Sequence, residues 1–240
     1  SILAIEEGQR IHAYVRKNNT LEGDIIVGSA LVDMYAKFGL LSEAQEVFDK
    51  LLGRDVASWT SLIAGYAEHG YAKDALKCFQ QMQMEGVPPN ALTLVCILKA
   101  CASTGVAGNK GIEIHSEIDR RELLESNVFV GSSLVDMYAK CGLAGKAQEV
   151  FDKLSFRNVV SWNALISGYI ESGDNERALK CFEEMQLEGL LPDMVTFVFT
   201  MKVCGNVGAI SKGTEIHAAI TRKGLLEGDF SIGCSLVDMY

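Results

Sequence analysis

The phrase GSALVDMYAKFG, from Gly28 to Gly39, returns as GSSLVDMYAKCG from Gly131 to Gly142 and as GCSLVDMY from Gly233 to Tyr240. The copies begin 103 and 102 residues apart, so the chain is a tandem array with a unit of about a hundred residues. Repeats bury surface against their neighbours and need no single closed core, so this period outranks a reading of the chain as one or two globular domains.

Working outward from the first copy, apolar residues recur at i, i+3, i+4 and i+7, the spacing of one helical face. Leu31, Met34, Tyr35 and Phe38 are followed by Ala44, Val47, Phe48 and Leu51, with Gly39 as the turn between them. Ser42 with Gln45 is expected to form a capping box for the second helix, a feature lost where Gly145 replaces Ser42 in the next copy. The pattern continues as Trp59, Leu62, Ile63, Tyr66 and as Ala75, Cys78, Phe79, Met82, with Gly86, Pro88 and Pro89 closing the pair. It continues again as Leu94, Ile97, Leu98, Cys101 and as Gly111, Ile114, His115, Ile118.

The array therefore divides into a short repeat at 25–55, a standard one at 56–90 and a longer one at 91–127. The order returns at 128–158, 159–193 and 194–229, with partial repeats at 1–24 and 230–240. Helices of about 12 residues with one apolar face each cannot close a core alone and must stack. The expected fold is all-α, a right-handed α-solenoid of stacked helix-turn-helix repeats.

The composition fits that reading: 48% hydrophobic, 22% charged and only 3 prolines. No apolar run approaches the roughly 20 residues of a membrane span. The seven cysteines recur mostly with the repeat and read as small core residues of a reducing compartment. The net charge of −9 counts against a protein that holds nucleic acid by bulk phosphate attraction. The chain opens at Ser1 without a basic, apolar leader and stops within the third copy, so both ends are read as cuts and targeting information as missing.

Catalytic constellations are absent from the sequence: no phosphate-binding Gly loop, no Ser-His-Asp order, no cysteine pair at zinc spacing. The reading is of a protein that is not an enzyme, with no cofactor, no metal and no small-molecule substrate. His12, His115 and His217 share one repeat position, each four residues after a glycine (Gly8, Gly111, Gly213), where other repeats hold Phe48, Phe79, Phe151 or Phe182. They read as replacements of a core aromatic, with the glycine admitting a neighbouring helix. Trp59 and Trp162 fall on the core stripe and read as packing. Asn18-Asn19-Thr20 matches a glycosylation acceptor and reads as a chance match. The helical pattern leaves Thr60, Asn163, Asn90 and Asp193 unexplained: they are polar, and a stacked array lines up equivalent positions along one surface.

At these residues the sequence resembles the pentatricopeptide repeat family, in its plant class of alternating standard, long and short motifs. The resemblance rests on LVDMYAKCG with AQEVFDK, VVSWNALISGY (Val159 to Tyr169), LKAC (Leu98 to Cys101) with Ile114-His115, and EMQLEGLLPD (Glu184 to Asp193). It implies one single-stranded RNA base per motif, read by the fifth and the last residues. The implied pairs are Ser29 with Asp55, Thr60 with Asn90, Ser132 with Asn158, and Asn163 with Asp193. An ionised Asp only accepts hydrogen bonds and suits guanine or uracil; Asn can donate and suits adenine or cytosine. With the family's purine preference for Ser or Thr at the fifth position and pyrimidine for Asn, the expected tract is 5′-G-A-N-A-U-N-3′. Val95 and Val198 make the long repeats weak or silent.

The resemblance further implies base-flanking apolar residues at the second position, here Ile26, Leu92, Phe129, Val160 and Val195, with Ala57 a small departure. Lys37 and Lys140 match positions that could approach phosphate, but Glu68 and Glu171 stand there in the standard repeats, so a shallow salt dependence is expected. It also implies an organellar RNA-processing factor of chloroplast or mitochondrion, of the cytidine-to-uridine editing type. An editing cofactor protein, or a deaminase domain acting in trans, is then a partner. The sequence has no His-x-Glu with a downstream Pro-Cys-x-x-Cys. The alternative reading is a helical scaffold that grips a partner protein.

Overall fold

The computed structural model describes residues 2–17, 24–105, 109–224 and 230–240. The Asn18-Asn19-Thr20 acceptor pattern lies outside the described residues, which hold fifteen helices and no strand. They fall into two compact units. Ser1–Val106 carries α1 (Ile2–Lys17), α2 (Ile25–Lys37), α3 (Leu41–Asp49), α4 (Val56–Glu68), α5 (Ala72–Met84) and α6 (Ala91–Thr104). Ala107–Tyr240 carries α7 (Asn109–Arg120), α8 (Leu123–Ser126), α9 (Val128–Lys140), α10 (Ala144–Asp152), α11 (Val159–Glu171), α12 (Asn175–Leu187), α13 (Met194–Val207), α14 (Ile210–Arg222) and α15 (Phe230–Met239).

Inside each unit the helices form antiparallel pairs that stack side by side, as in an α-solenoid. First helices pack on first helices, α2 on α4 on α6 in one unit and α9 on α11 on α13 on α15 in the other, and α2, α4, α9, α11 and α13 each pack on the second helix that follows them. Gly39 turns α2 back into α3 with φ +73°, a left-handed conformation that disfavours a Cβ, and Gly142 does the same after α9. The sequence does not anticipate α8, which follows Glu122, the one described non-glycine residue with positive φ.

One expectation needs enlarging. The second helices bury a single stripe, such as Ala75, Phe79 and Met82 of α5. The first helices bury residues around most of their circumference: α11 buries Trp162, Ala164, Leu165, Ile166 and Tyr169 at 0–5% exposure. α11 is flanked by the first helices before and after it, α9 and α13, as well as by its own partner α12, so one apolar face is too few. Each large side chain buried this way contributes about 1.5–3 kcal/mol.

Two further expectations are corrected. The residue preceding α3 is Leu40, with no side-chain cap, so Ser42 lies inside the first turn; Gln45 bonds Asp49 and Tyr66 instead. The three histidines are half-exposed rather than core residues. Their rings meet Tyr35, Tyr138 and Tyr240 of the following repeat edge-on, with Nδ1 to hydroxyl distances of 2.8, 2.9 and 3.2 Å. Phe48 and Phe151 meet Trp59 and Trp162 in the same edge-on manner, at 4.5 Å between centroids. Gly8 and Gly213 admit the sulfur of Met34 and of Met239 rather than a helix backbone. Trp59 and Trp162 are 1% exposed, as a packing role requires.

Candidate nucleic-acid interface

The last residue of each short and standard repeat turns out to be the N-cap of the next first helix. Asp55 caps α4, Asn90 caps α6, Asn158 caps α11 and Asp193 caps α13. In all four, Oδ1 accepts the backbone N–H three residues on at 2.8 Å, from Ser58, Thr93, Ser161 and Thr196. The hydroxyl of that same third residue takes the cap's own N–H at 3.1 to 3.2 Å, completing a reciprocal box. Sequence reasoning missed these boxes, although the Asp/Asn-x-x-Ser/Thr spacing stands at each of the four, and elsewhere in the chain at Asp152 with Ser155 alone.

The cap fixes what the side chain has left to offer. With Oδ1 engaged, Asp55 and Asp193 keep Oδ2, an acceptor, and Asn90 and Asn158 keep Nδ2, a donor. Among the described residues no hydrogen bond recorded for these four side chains uses those second atoms.

Three of the four expected pairs touch directly. Ser29 donates its hydroxyl to Asp55 Oδ1 at 3.2 Å, Ser132 to Asn158 Oδ1 at 3.1 Å, and Asn163 its amide to Asp193 Oδ1 at 3.0 Å. Thr60 does not reach Asn90. Its hydroxyl meets Thr93 Oγ1 at 2.7 Å, and Thr93 Oγ1 lies 2.9 Å from Asn90 Oδ1. Ser29, Thr60, Ser132 and Asn163 are 4–8% exposed, so only an edge of each is open to a ligand.

Burial pushes the Asp55 carboxyl up, and hydrogen bonds from Ser58 and Ser29 outweigh it, holding the group below the ordinary carboxylate range. Asp193 is likewise pushed up by burial and brought lower by Thr196 and Asn163. Both are therefore ionised near neutral pH and accept only.

Beside the caps, the second residues of the first helices stand out into solvent: Ile26 is 76% exposed, Phe129 71%, Val160 60% and Leu92 58%. Val195 is 47% exposed and Ala57 is exposed too. An apolar side chain at the same exposed place in successive repeats is a regular feature of the surface, not a scattered one. Val95 and Val198 are half-buried and offer no hydrogen bond. Lys37 and Lys140 are exposed but ion-paired within their helices, to Asp33 at 2.6 Å and Asp136 at 2.9 Å. No group of metal-ligating side chains occurs among the described residues, and none of their helices is long and apolar enough to cross a membrane.

The PPR repeat family model matches residues 54–103 and 157–206, and the PPR repeat model matches 29–56 and 132–159. The chain belongs to the pentatricopeptide repeat family. A chloroplastic pentatricopeptide repeat-containing protein of Arabidopsis thaliana is 38% identical over 237 residues, covering 99% of this chain and 38% of its own length. A mitochondrial one from the same plant is 38% identical over 234 residues, covering 98% and 36%. The chain thus spans little more than a third of these relatives.

Among solved structures, the pentatricopeptide repeat protein PPR10 from maize superposes with a TM-score of 0.66 at 20% identity, over 90% of this chain and 32% of that one. PPR10 in complex with an 18-nt psaJ RNA element gives 0.64 at 22% identity, over 84% and 34%. At these identities the likeness is one of fold.

Proposed function

We propose that this pentatricopeptide repeat chain binds single-stranded RNA sequence-specifically, one base per short or standard repeat, with the tract 5′-G-A-N-A-U-N-3′. The observation that carries the reading is the cap geometry: each last residue is locked by Oδ1 and keeps one atom of known polarity out of the capping hydrogen bonds, beside an exposed apolar flank. PPR10, of the same fold, is described with a bound RNA element.

The hydroxyl directions supply the chemistry of the fifth position. Ser29 gives its proton to Asp55, so the pair presents two acceptors, matching the N1–H and N2–H of guanine. Ser132 has its proton engaged by Val128 O or Asn158 Oδ1, so it accepts while Asn158 Nδ2 donates, matching the amino group and N1 of adenine. Asn163 keeps one amide proton beyond the one given to Asp193, so that pair offers a donor and an acceptor, matching O4 or O2 and N3–H of uracil.

Affinity then rests on base contacts, each worth about 1–3 kcal/mol, with a shallow salt dependence, since Lys37 and Lys140 are already paired. Relatives named chloroplastic and mitochondrial, and the alternation of short, standard and long repeats, support a role as the recognition part of an organellar RNA-processing factor, of the cytidine-to-uridine editing type. An editing cofactor or deaminase would act in trans or from elsewhere in the protein.

The test is titration with single strands carrying GANAU and with scrambled strands at two salt concentrations. The expected result is tighter binding of GANAU; equal affinity overturns the reading. Asn90→Asp should move the preference at the second base from adenine to guanine, because Nδ2 becomes an acceptor.

A further inference from the structure

Thr93 and Thr196, the third residues of the repeats at 91–127 and 194–229, are fully buried and stand where two repeats meet. Each does more than close a capping box. Thr196 Oγ1 lies 2.8 Å from Asn163 Oδ1 and 2.8 Å from Asp193 Oδ1, with its single proton shared between the two acceptors, and so touches both members of the expected reading pair of the preceding repeat. Thr93 touches both members of its pair as well, Thr60 at 2.7 Å and Asn90 Oδ1 at 2.9 Å. Ser58 and Ser161 occupy the equivalent place after the short repeats and behave differently. Their hydroxyls donate back to the main-chain oxygens of Asp55 and Asn158 at 2.9 Å, and their hydrogen bonds do not reach Ser29 or Ser132.

We infer that Thr93 and Thr196 are positioning residues that set the hydrogen-bond polarity of Thr60 and Asn163, making the reader of each standard repeat a three-residue relay. The inference rests on the RNA-binding reading above. The direction of each bond follows from counting protons. Asn90 Oδ1 cannot donate, so the 2.9 Å contact is a hydrogen bond only if Thr93 gives its single proton there. Thr93 Oγ1 must then accept from Thr60, as it accepts from Asn90 N–H at 3.2 Å.

Thr60 is left with lone pairs alone, an acceptor for the amino group of adenine. In the second relay, Thr196 meets Asn163 Oδ1 and Asp193 takes one amide proton, which leaves the other amide proton of Asn163 as a donor for uracil. In the short repeats the serine at the fifth position reaches the cap directly and no third residue is required.

Thr93→Val keeps the shape and removes the hydroxyl; Thr93→Ser keeps the hydroxyl. The measurement is the affinity of the chain for single strands that differ only at the second base of the tract, by fluorescence anisotropy. The unaltered protein should prefer adenine over guanine by about tenfold, T93S should keep that ratio, and T93V should bring it to within about twofold. Ser58→Ala removes the equivalent capping hydroxyl ahead of the first base and should leave the guanine preference there intact.

An adenine preference that survives T93V overturns the relay and leaves the RNA reading standing. Loss of base preference in S58A as large as in T93V assigns the effect to capping in general and also overturns it. An unaltered chain that does not distinguish the tract from a scrambled strand overturns both proposals together. Should T93V fail to fold, T196V against T196S gives the same comparison at uracil. In the RNA-free protein, T196V should shift the Asn163 side-chain amide resonances and T196S should not; unchanged resonances in T196V overturn the relay.

Discussion

Gly65 of α4 and Ala36 of α2 are in such close approach that a Cβ placed on Gly65 would lie 2.6 Å from the Ala36 Cβ and 3.2 Å from its Cα. Gly168 and Ala139 repeat the relationship at 2.8 and 3.2 Å. The first helices of short and standard repeats therefore touch backbone to backbone, which sets their spacing.

Gly65→Ala weighs two effects of opposite sign. Alanine in place of an interior helical glycine gains about 1 kcal/mol of helix propensity. The new methyl meets a methyl and a main-chain carbon, neither of which can swing aside, and overpacking of this kind costs about 1–3 kcal/mol. Gly65→Ala and Gly168→Ala should therefore each lower the urea midpoint. A variant as stable as the parent would show that the helices separate at no cost.

The same contact shows what the sequence could and could not disclose. The hundred-residue period, the helix pairs and the buried Trp59 and Trp162 were legible because large apolar residues mark them at regular spacing. The second buried side of the first helices was not, since Gly65, Ala36, Gly168 and Ala139 carry no apolar pattern. The expected Ser42 cap failed because a Ser/Gln spacing does not say which residue leaves the helix, and here Leu40 does. The four true boxes reverse the usual residue types, with the carboxylate or amide at the cap and the hydroxyl third. Thr60 and Asn90 were expected as a pair through the family resemblance; only the structure places Thr93 between them.

Arg54 ties a short repeat to the standard repeat after it. Its guanidinium lies 4.8 Å from the Phe48 ring centroid and 2.8 Å from Glu85, and Arg157 repeats both contacts with Phe151 and Glu188 at the same distances. A planar fork that stacks and pairs at once is not replaced by an ammonium. Arg54→Lys should cost about 1 kcal/mol in urea unfolding, mostly through the lost stacking. Retention of full stability in Lys would assign the contact to charge alone.

Acid sensitivity should trace to the caps. The folded-state values of Asp55 and Asp193 lie below those of the unfolded chain, so their stabilisation is present above the unfolded carboxylate value, about pH 4. It is lost as pH falls through the folded values. The double variant Asp55→Asn, Asp193→Asn keeps a capping oxygen and removes the titration. Its melting temperature should fall less steeply than the parent's below about pH 4. An equal slope would place the acid-labile groups elsewhere.

His115 should give a second, milder pH dependence at a different place. Burial lowers its value, and around it Asp119 and Glu149 favour the charged form while Lys153 and Lys146 oppose it. Nε2 lies 3.5 Å from Asp119 Oδ2 without forming a hydrogen bond, so a second ring proton is poorly compensated. A depressed folded value means that the contribution is present above the unfolded value, about pH 6.5, and is lost as pH falls through the folded one. His115→Gln retains a donor or acceptor for the Tyr138 hydroxyl, which His115 Nδ1 meets at 2.9 Å, and cannot titrate. The variant should therefore hold its melting temperature as pH falls below about 6.5, where the parent declines. If parent and variant decline together, the edge-on pair of His115 and Tyr138 is indifferent to protonation and the sensitivity belongs to other groups.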